Sequence, residues 1–377
     1  MHDGFSDVTY VLLPLFAQTF GLSLAQVGLI RSAHRVAMAT FQLPAGLIAE
    51  RFGARKLLAI GTLIAGIAFI ALGYAPGFWA ILAALFFAGV GSAVQHPLSS
   101  TIISHAYPGE GRRTALGIYN FSGDVGKFAF GGTVSLCVLA GVSWQAPVIA
   151  FGVAGIAAAA LVLLTVRDAR PHRELPAPET PAAGGWGIRH KPAFVALCAL
   201  DAVDSFTRTG FLTFIAFLLI ARGLPEGWAA LAVPLVLTGG MAGKFACGVL
   251  AERLGVLRTI VLTELATGIG ILLTLALPAV AAFFVLPLIG IVLQGTSSVI
   301  YGTIGDLVKP ERLPRAFGMV YTTGACCGIV APLAYGLLGD AVGIEYTIAV
   351  IGAVVLLSLP LCLVLRPSLV LPGSASA

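Results

Sequence analysis

Ionisable side chains occur inside long apolar stretches of this 377-residue chain, where each has to pair with another charge or meet water. The basic residues are Arg31, Arg35, Lys127, Arg208 and Lys244, and the acidic residues are Asp7, Asp124, Asp201 and Asp204. A charge at the centre of a lipid-embedded helix costs about 2.5–3.5 kcal/mol on insertion scales. With His34 and His96 able to titrate near neutral pH, this balanced set indicates a site that binds an ion and exchanges protons.

The spacing of these residues places several of them on shared helix faces. Arg31 and Arg35 are one turn apart with His34 beside them, and Arg35 is the better candidate because Arg31 lies nearer a helix end. The alternative for Arg31 is that its side chain snorkels to the membrane surface. Asp124 and Lys127, three residues apart, can neutralise each other either as a structural pair or as part of a ligand site.

Asp201, Asp204 and Arg208 form a further polar stripe at intervals of three and four residues. The residues expected to bind substrate are Arg35, His34, His96, Tyr119, Asn120, Lys127, Arg208, Lys244 and Gln294. The candidates for carrying a proton are Asp124, Asp204 and Asp7. His96 is equally consistent with a structural place in the core, and solvent exposure is expected for Asp3.

The chemistry of the buried set favours an anionic or zwitterionic organic solute, because arginine forks suit carboxylate, phosphonate or phosphate oxygens. The sequence has no HExxH or GxSxG motif and no metal-spaced cluster of His and Cys, so neither an enzyme nor a metal or cofactor site is expected. It also has no Gly-rich nucleotide-binding loop, which argues against ATP as the energy source.

The elements that must hold these charges are membrane helices. Hydrophobic residues make up 58% of the chain, charged residues 10%, and the mean hydropathy is +0.98, unlike a soluble domain. We predict an all-α membrane protein with twelve transmembrane helices in two six-helix pseudo-repeats. The predicted spans are 4–21, 26–49, 57–74, 78–103, 115–139, 146–166, 192–221, 227–250, 258–277, 281–307, 314–339 and 345–366.

The basic residues between the spans sort to one side of the membrane. Of the 22 Lys and Arg residues, five lie inside the spans, sixteen in loops on one side, and Arg222 alone on the other. The positive-inside rule makes the first side cytoplasmic and places both termini there. The net charge of +5 is therefore a topology signal, and no nucleic-acid partner is expected. No cleaved signal peptide is expected either, because no basic region precedes the first span.

Two loops about two hundred residues apart are nearly alike: GLIAERFGARK from Gly46 and GVLAERLGVLR from Gly248. The offset of 202 residues between them also places Gly53 on Gly255. A match over a whole half of the chain indicates an internal repeat. The predicted divisions are an amino-terminal six-helix bundle (1–166), a cytoplasmic linker rich in Pro and Ala (167–191) and a carboxy-terminal six-helix bundle (192–377).

The first of these loops resembles the loop between the second and third helices of the major facilitator superfamily, and its weaker second copy is also typical of that superfamily. The resemblance covers essentially the whole chain and implies two six-helix halves that provide alternating access to a substrate site. It implies a gating role for Glu50, Arg51, Arg55, Glu252 and Arg253, whose ion pairs break as the halves rock. The superfamily usually has Asp at the positions of Glu50 and Glu252.

A narrower resemblance lies in the segment from Gly89 to Gly132, which contains HPLSS from His96. This segment is similar to the fosmidomycin-resistance group of drug exporters. Leu98 stands where that group commonly has Glu, and Asp124 and Lys127 stand where it has an uncharged pair. The resemblance implies export of a drug-like solute, and these departures point to a different substrate.

Together these features predict a secondary active transporter that moves a small organic solute or drug across the inner membrane, with proton-coupled export as the first expectation. One alternative is a proton symporter that imports an organic anion. The other is a metalloid exporter that uses the adjacent Cys326 and Cys327. The expected partners are the solute, protons and the lipid bilayer, and a monomer is expected.

Overall fold

The computed structural model describes residues 1–107, 111–166, 187–309 and 313–369, and these residues are almost entirely helical. The helices are α1 (His2–Phe20), α2 (Leu24–Phe52), α3 (Ala54–Gly73), α4 (Phe78–Ser92), α5 (Gln95–Ala106), α6 (Gly111–Leu139), α7 (Gln145–Thr165), α8 (Lys191–Ala221), α9 (Glu226–Ala229), α10 (Ala232–Leu254), α11 (Val256–Ala276), α12 (Ala279–Leu307), α13 (Leu313–Val342), α14 (Ile344–Val354) and α15 (Ser358–Leu369). The predicted all-α fold is confirmed.

Three of the predicted spans are each divided into two helices: α4 and α5, α9 and α10, and α14 and α15. The second helix of each pair has proline at its third residue, namely Pro97, Pro234 or Pro360. Proline has no N–H group and cannot donate to the preceding turn, so the helix is interrupted just before it. Counting each pair as one segment, the described residues form twelve long helical segments.

Nine of these segments in the described part of the chain are long and apolar enough to cross a membrane. The other three, α1, α2 and α6, have 19, 29 and 29 residues and are therefore long enough as well. They are more polar because they carry the charged residues of the first half, including Asp7, Arg31 and Lys127. These three helices are thus less apolar than α8, α10 and α12, which carry the predicted site residues of the second half.

The chain divides into two compact units. Unit 1 comprises Met1–Leu22 and Leu29–Ala182, and unit 2 comprises Ser23–Gly28 and Ala183–Ala377. The linker predicted at 167–191 lies outside the described residues up to 186. From Gly187 the chain is described, and the N–H of Arg189 donates to the carbonyl of Leu307 at 2.9 Å.

The backbone repeats between the two units at an offset of 202 residues. Among the described residues seven glycines have positive φ, and six of them form three pairs at this offset: Gly21 and Gly223, Gly53 and Gly255, and Gly141 and Gly343. Positive φ is unfavourable for residues with a Cβ, so glycine at both positions of a pair marks the same turn in both halves. The internal repeat predicted from the two loops therefore extends to the backbone geometry.

Arg222, the one basic residue predicted on the far side of the membrane, stabilises the end of α11. Its Nη1 donates to the carbonyls of Thr274, Leu275 and Leu277 at 3.1, 2.6 and 3.2 Å. Its Nε donates to Glu345 at 2.8 Å. The last carbonyls of a helix have no partner within the helix, so this side chain acts as a cap supplied from another element.

Helices α10 and α12 of unit 2 approach closely along glycines. A Cβ added to Gly239 or Gly243 would overlap the carbonyl of Pro287 or Ile291, and one added to Gly290 would overlap the carbonyl of Val236. Small residues allow helix backbones to come this close in membranes. This contact fixes the scaffold on which Lys244 and Gln294 are placed.

We expect Gly243→Ala to lower the melting temperature of the detergent-purified protein, because the new methyl group has no room beside the backbone of Ile291. Overpacking of this kind costs about 1–3 kcal/mol. Gly248→Ala is the matched control, since it lies in the same helix and no atom of another described helix lies within 4 Å of the place its methyl group would take. Equal melting temperatures for the two variants would contradict this account of the contact.

Candidate functional site

Two basic residues of unit 1, Arg31 and Lys127, lie beside Asp7 of α1. Its Oδ1 lies 3.6 Å from Nη2 of Arg31 on α2, and its Oδ2 lies 3.7 Å from Nζ of Lys127 on α6. One carboxylate therefore joins the three most polar helices of the unit. The structure brings Asp7 and Lys127 together, a contact that the sequence analysis did not predict.

Arg31 is fully buried, so the snorkelling alternative is wrong. Its Nη1 donates to the carbonyl of Ser6 at 2.8 Å, and its guanidinium carbon lies 3.7 Å from the centre of the Tyr10 ring. The aromatic face and the Asp7 carboxylate offset the cost of burying the charge. Sequence reasoning ranked Arg31 below Arg35 because it judged depth from helix position and could not see the partner on α1.

Lys127 is the most accessible cation of this group, with 26% of its side chain exposed. Its Nζ lies 3.1 Å from Asp124 Oδ1, one turn earlier on α6, in addition to the contact with Asp7. The predicted pair of Asp124 and Lys127 is therefore formed. An ammonium group shared by two carboxylates and partly open is able to exchange one of them for the oxygen of an anionic ligand.

A second contact of unit 1 joins Asp3 and His96. His96 Nε2 lies 3.4 Å from Asp3 Oδ1, and the His96 side chain is 45% exposed whereas Asp3 is 13% exposed. The expectation of a solvent-exposed Asp3 is thus wrong, because α5 places a histidine over it. The Tyr119 ring stands edge-on to the His96 ring at 6.5 Å between centroids.

His34 lies at a close contact between α2 and α4, and Arg35 follows it in the chain. His34 is fully buried, neither ring nitrogen has a hydrogen-bond partner among the described residues, and its carbonyl lies against Gly89 of α4. Arg35 is partly buried and interacts electrostatically with Arg31 and Tyr10. Solute binding by His34 and Arg35 stays a prediction, with Arg35 the more accessible of the two.

In unit 2 the predicted stripe on α8 is formed. Arg208 Nη1 lies 3.6 Å from Asp204 Oδ2, and its Nη2 donates to Ser205 at 3.2 Å. Asp201 and Asp204 are both buried. Tyr301 of α12 interacts with Asp201, Asp204 and Arg208.

A third buried carboxylate, Glu264 on α11, joins this cluster and was missed by the sequence analysis. Its side chain is 1% exposed, and it interacts electrostatically with Asp204 and Arg208. Glu264 lies within the predicted span 258–277, so the rule that selected the other charges inside membrane helices would have found it. Its proximity to α8 could not be inferred from spacing within either helix.

The remaining predicted residues are placed as follows. Lys244 is partly buried, and the Gln294 side chain lies against Gly240. Arg55 Nη1 donates to the carbonyl of Val166 at 3.3 Å. Glu252 and Arg253 are both exposed. The side chains of Glu50, Arg51 and Asn120 lie outside the described part of the structure. The gating role of these loops stays a prediction.

Cys326 is exposed and Cys327 partly buried, and both are free thiols. Among the described residues, no group of three or more His, Cys, Asp or Glu side chains is arranged to hold a metal ion.

We expect Arg31→Met and Asp7→Asn each to destabilise the protein strongly, since breaking a buried ion pair costs about 3–5 kcal/mol. The double variant should lose clearly less than the sum of the single losses, with a coupling of about 1–3 kcal/mol. Thermal unfolding in detergent measures all three, with the exposed Arg253→Met as control. Additive losses would show that the two groups do not act as a pair.

Comparison with known proteins agrees with this architecture. The profile described as Major Facilitator Superfamily matches residues 2–244 and 202–376. A Cupriavidus necator protein named "Probable sulfoacetate transporter" is 26% identical over 361 residues, covering 88% of this chain and 83% of that protein. A hexuronate transporter of Bacillus subtilis is 25% identical over 366 residues, with coverages of 88% and 83%.

The fold is also found among solved structures. The crystal structure of a bacterial homolog of the human lysosomal transporter Spinster, in an inward-facing and occupied conformation, aligns with a TM-score of 0.81 at 17% identity. The alignment covers 98% of this chain and 94% of that one. Because the family profile matches nearly the whole chain, the protein belongs to the major facilitator superfamily of membrane transporters and is not an enzyme.

Proposed function

We propose that this protein imports a small organic anion, a carboxylate or a sulfonate, together with protons, by the alternating access typical of its superfamily. The observation that carries the proposal is the surroundings of Lys127. Its side chain is 26% exposed, and its ammonium group is paired with the carboxylates of Asp7 and Asp124. A solute anion can replace one of these carboxylates at the ammonium group without leaving a buried charge unpaired.

The relatives support this solute class. Sulfoacetate and hexuronates, the solutes in the names of the two transporters above, are small organic anions with sulfonate or carboxylate groups. Arg35 adds a guanidinium on α2, and planar guanidinium groups bind such oxygens in pairs. The solute is therefore defined by its anionic group more than by its carbon skeleton.

The energetics of moving a negative charge support import together with protons as the direction of transport. Import of an anion against an inside-negative potential costs about 2.3 kcal/mol per charge for each 100 mV, and cations such as protons that enter with the anion offset this cost. Export of an anion is driven by the same potential and needs no proton. The buried carboxylates Asp204 and Glu264 of unit 2 offer a place for a proton, which favours symport. Export as implied by the drug-exporter resemblance is the alternative outcome.

We further propose a location in the cytoplasmic membrane with both termini on the cytoplasmic side. The support is the distribution of Lys and Arg between the loops. We propose that a monomer carries out transport, since each unit holds its own charged groups.

The assay uses purified protein in liposomes with labelled sulfoacetate or galacturonate and an imposed pH gradient. We expect uptake of the anions to rise several-fold when the outside is acidic, and ethidium, a cationic drug, not to be taken up. Anion movement opposite to the proton gradient would establish export. Uptake of ethidium in place of the anions would refute the proposed solute class.

We expect Lys127→Met to raise the half-saturating concentration of the anion about tenfold or more. A hydrogen bond to a charged group contributes about 1.5–3 kcal/mol, and 1.4 kcal/mol corresponds to a factor of ten in affinity. Lys309→Met, at an exposed lysine after α12, is the matched control and should behave like the wild type. Unchanged anion affinity in Lys127→Met would remove this lysine from the site.

A further inference from the structure

Glu264 has no place in the solute site described above, and it is the single carboxylate of α11. Its side chain is 1% exposed, and neither of its oxygens receives a hydrogen bond from the described residues. Glu264 interacts with Asp204 and Arg208 on α8 and with Cys362 and Ser358 on α15. A buried polar group without a hydrogen bond is costly, so this arrangement calls for an explanation.

The charges around Glu264 do not balance if every carboxyl group is ionised. Asp204, Glu264 and the adjacent Asp201 carry three negative charges, and the guanidinium that interacts with all three is that of Arg208. Three carboxylates in apolar surroundings cannot all remain ionised beside a single compensating cation. The group is stable when one proton is bound to it.

The internal repeat supplies an independent comparison. At the offset of 202 residues, Asp204 corresponds to His2 and Glu264 corresponds to Thr62. In unit 1 those two side chains are hydrogen-bonded, with His2 Nε2 2.8 Å from Thr62 Oγ1. The same place in the repeat therefore holds a satisfied neutral pair in unit 1 and two carboxylates in unit 2. Two carboxyl groups can form the corresponding hydrogen bond only when one of them carries a proton.

We propose that Asp204 and Glu264 share one proton and form the proton-binding site of this transporter. The proton is taken from water, bound between one oxygen of each carboxyl group, and returned to water, with no other bond made or broken. Loss of the proton leaves two carboxylates against Arg208 in apolar surroundings, which is tolerable only when water reaches them. Deprotonation is thereby tied to exposure of the cluster. This inference rests on the proposed function, because it names the site of the coupled proton.

Other titratable groups on the packed helices complete the surroundings. Tyr301 on α12 interacts with Asp201 and Asp204, and its ring lies 4.8 Å from that of Tyr321 on α13, which is 52% exposed. These two tyrosines and Asp201 form a polar route between the exposed surface and the pair. On the other helices against α11, Lys244 of α10 is partly buried, and Glu345 of α14 is exposed and paired with Arg222.

The test compares Glu264→Gln, Glu264→Asp and Glu226→Gln in liposomes with labelled sulfoacetate or galacturonate. The readout is the ratio of uptake rates with and without an inward proton gradient. We expect this ratio to fall to one in Glu264→Gln, to be partly retained in Glu264→Asp, and to equal the wild-type value in Glu226→Gln, the same chemical change at an exposed position. Exchange of external for internal solute at equal pH identifies variants that are folded. A wild-type ratio in folded Glu264→Gln overturns the proposal.

A second measurement does not depend on transport. Infrared spectra of the purified protein at neutral pH should show the C=O band of a protonated carboxylic acid, and this band should be lost in Glu264→Gln and in Asp204→Asn. A wild-type spectrum without the band, or a band unchanged in both variants, overturns the shared proton. If wild-type uptake does not respond to the gradient, the proposed function and the coupling role fail together. The infrared band then decides separately whether the pair binds a proton.

Discussion

The rule that an ion in an apolar interior needs a counter-ion or water governs the arrangement of this protein. The Asp7 carboxylate satisfies that rule for Arg31 and Lys127 at once, from a third helix. Because a carboxylate on one helix serves cations on two others, α1, α2 and α6 have to keep a fixed mutual position. These are also the helices whose composition is least suited to lipid, and their polar side chains are accommodated within unit 1.

The two units differ in how many acidic and basic side chains they bring together in their interiors. In unit 1 the carboxylates of Asp3, Asp7 and Asp124 face Arg31, Lys127 and a histidine, so the group is close to neutral with all its members ionised. In unit 2 three carboxylates accompany one arginine within the cluster around Glu264. The nearly neutral group of unit 1 suits the exchange of one anion for another. The excess of carboxylates in unit 2 suits the binding of a proton. This contrast is the basis of the division of roles that we propose.

The internal repeat makes the contrast informative. Paired glycines with positive φ and an offset of 202 residues show that the backbone turns the same way in both halves. Differences at equivalent positions then arise from the side chains and not from the path of the chain. His2 with Thr62 and Asp204 with Glu264 are such a case, in which a neutral hydrogen bond in one half is replaced by an acidic pair in the other. The broken spans have a local cause as well, since each interruption precedes a proline.

Composition and pattern alone determined much of this protein. Long apolar runs specify membrane helices because each helix satisfies its own backbone, and the repeated loop specifies two related halves, so the fold class and the twelve segments could be predicted. The pair of Asp124 and Lys127 and the stripe on α8 could also be predicted, because their spacing lies within one helix. Only the tertiary structure decided which helices meet. It buried Arg31 under Asp7, placed His96 over Asp3 and brought Glu264 to Asp204, because contacts between helices depend on rotation and approach distance, and local periodicity specifies neither.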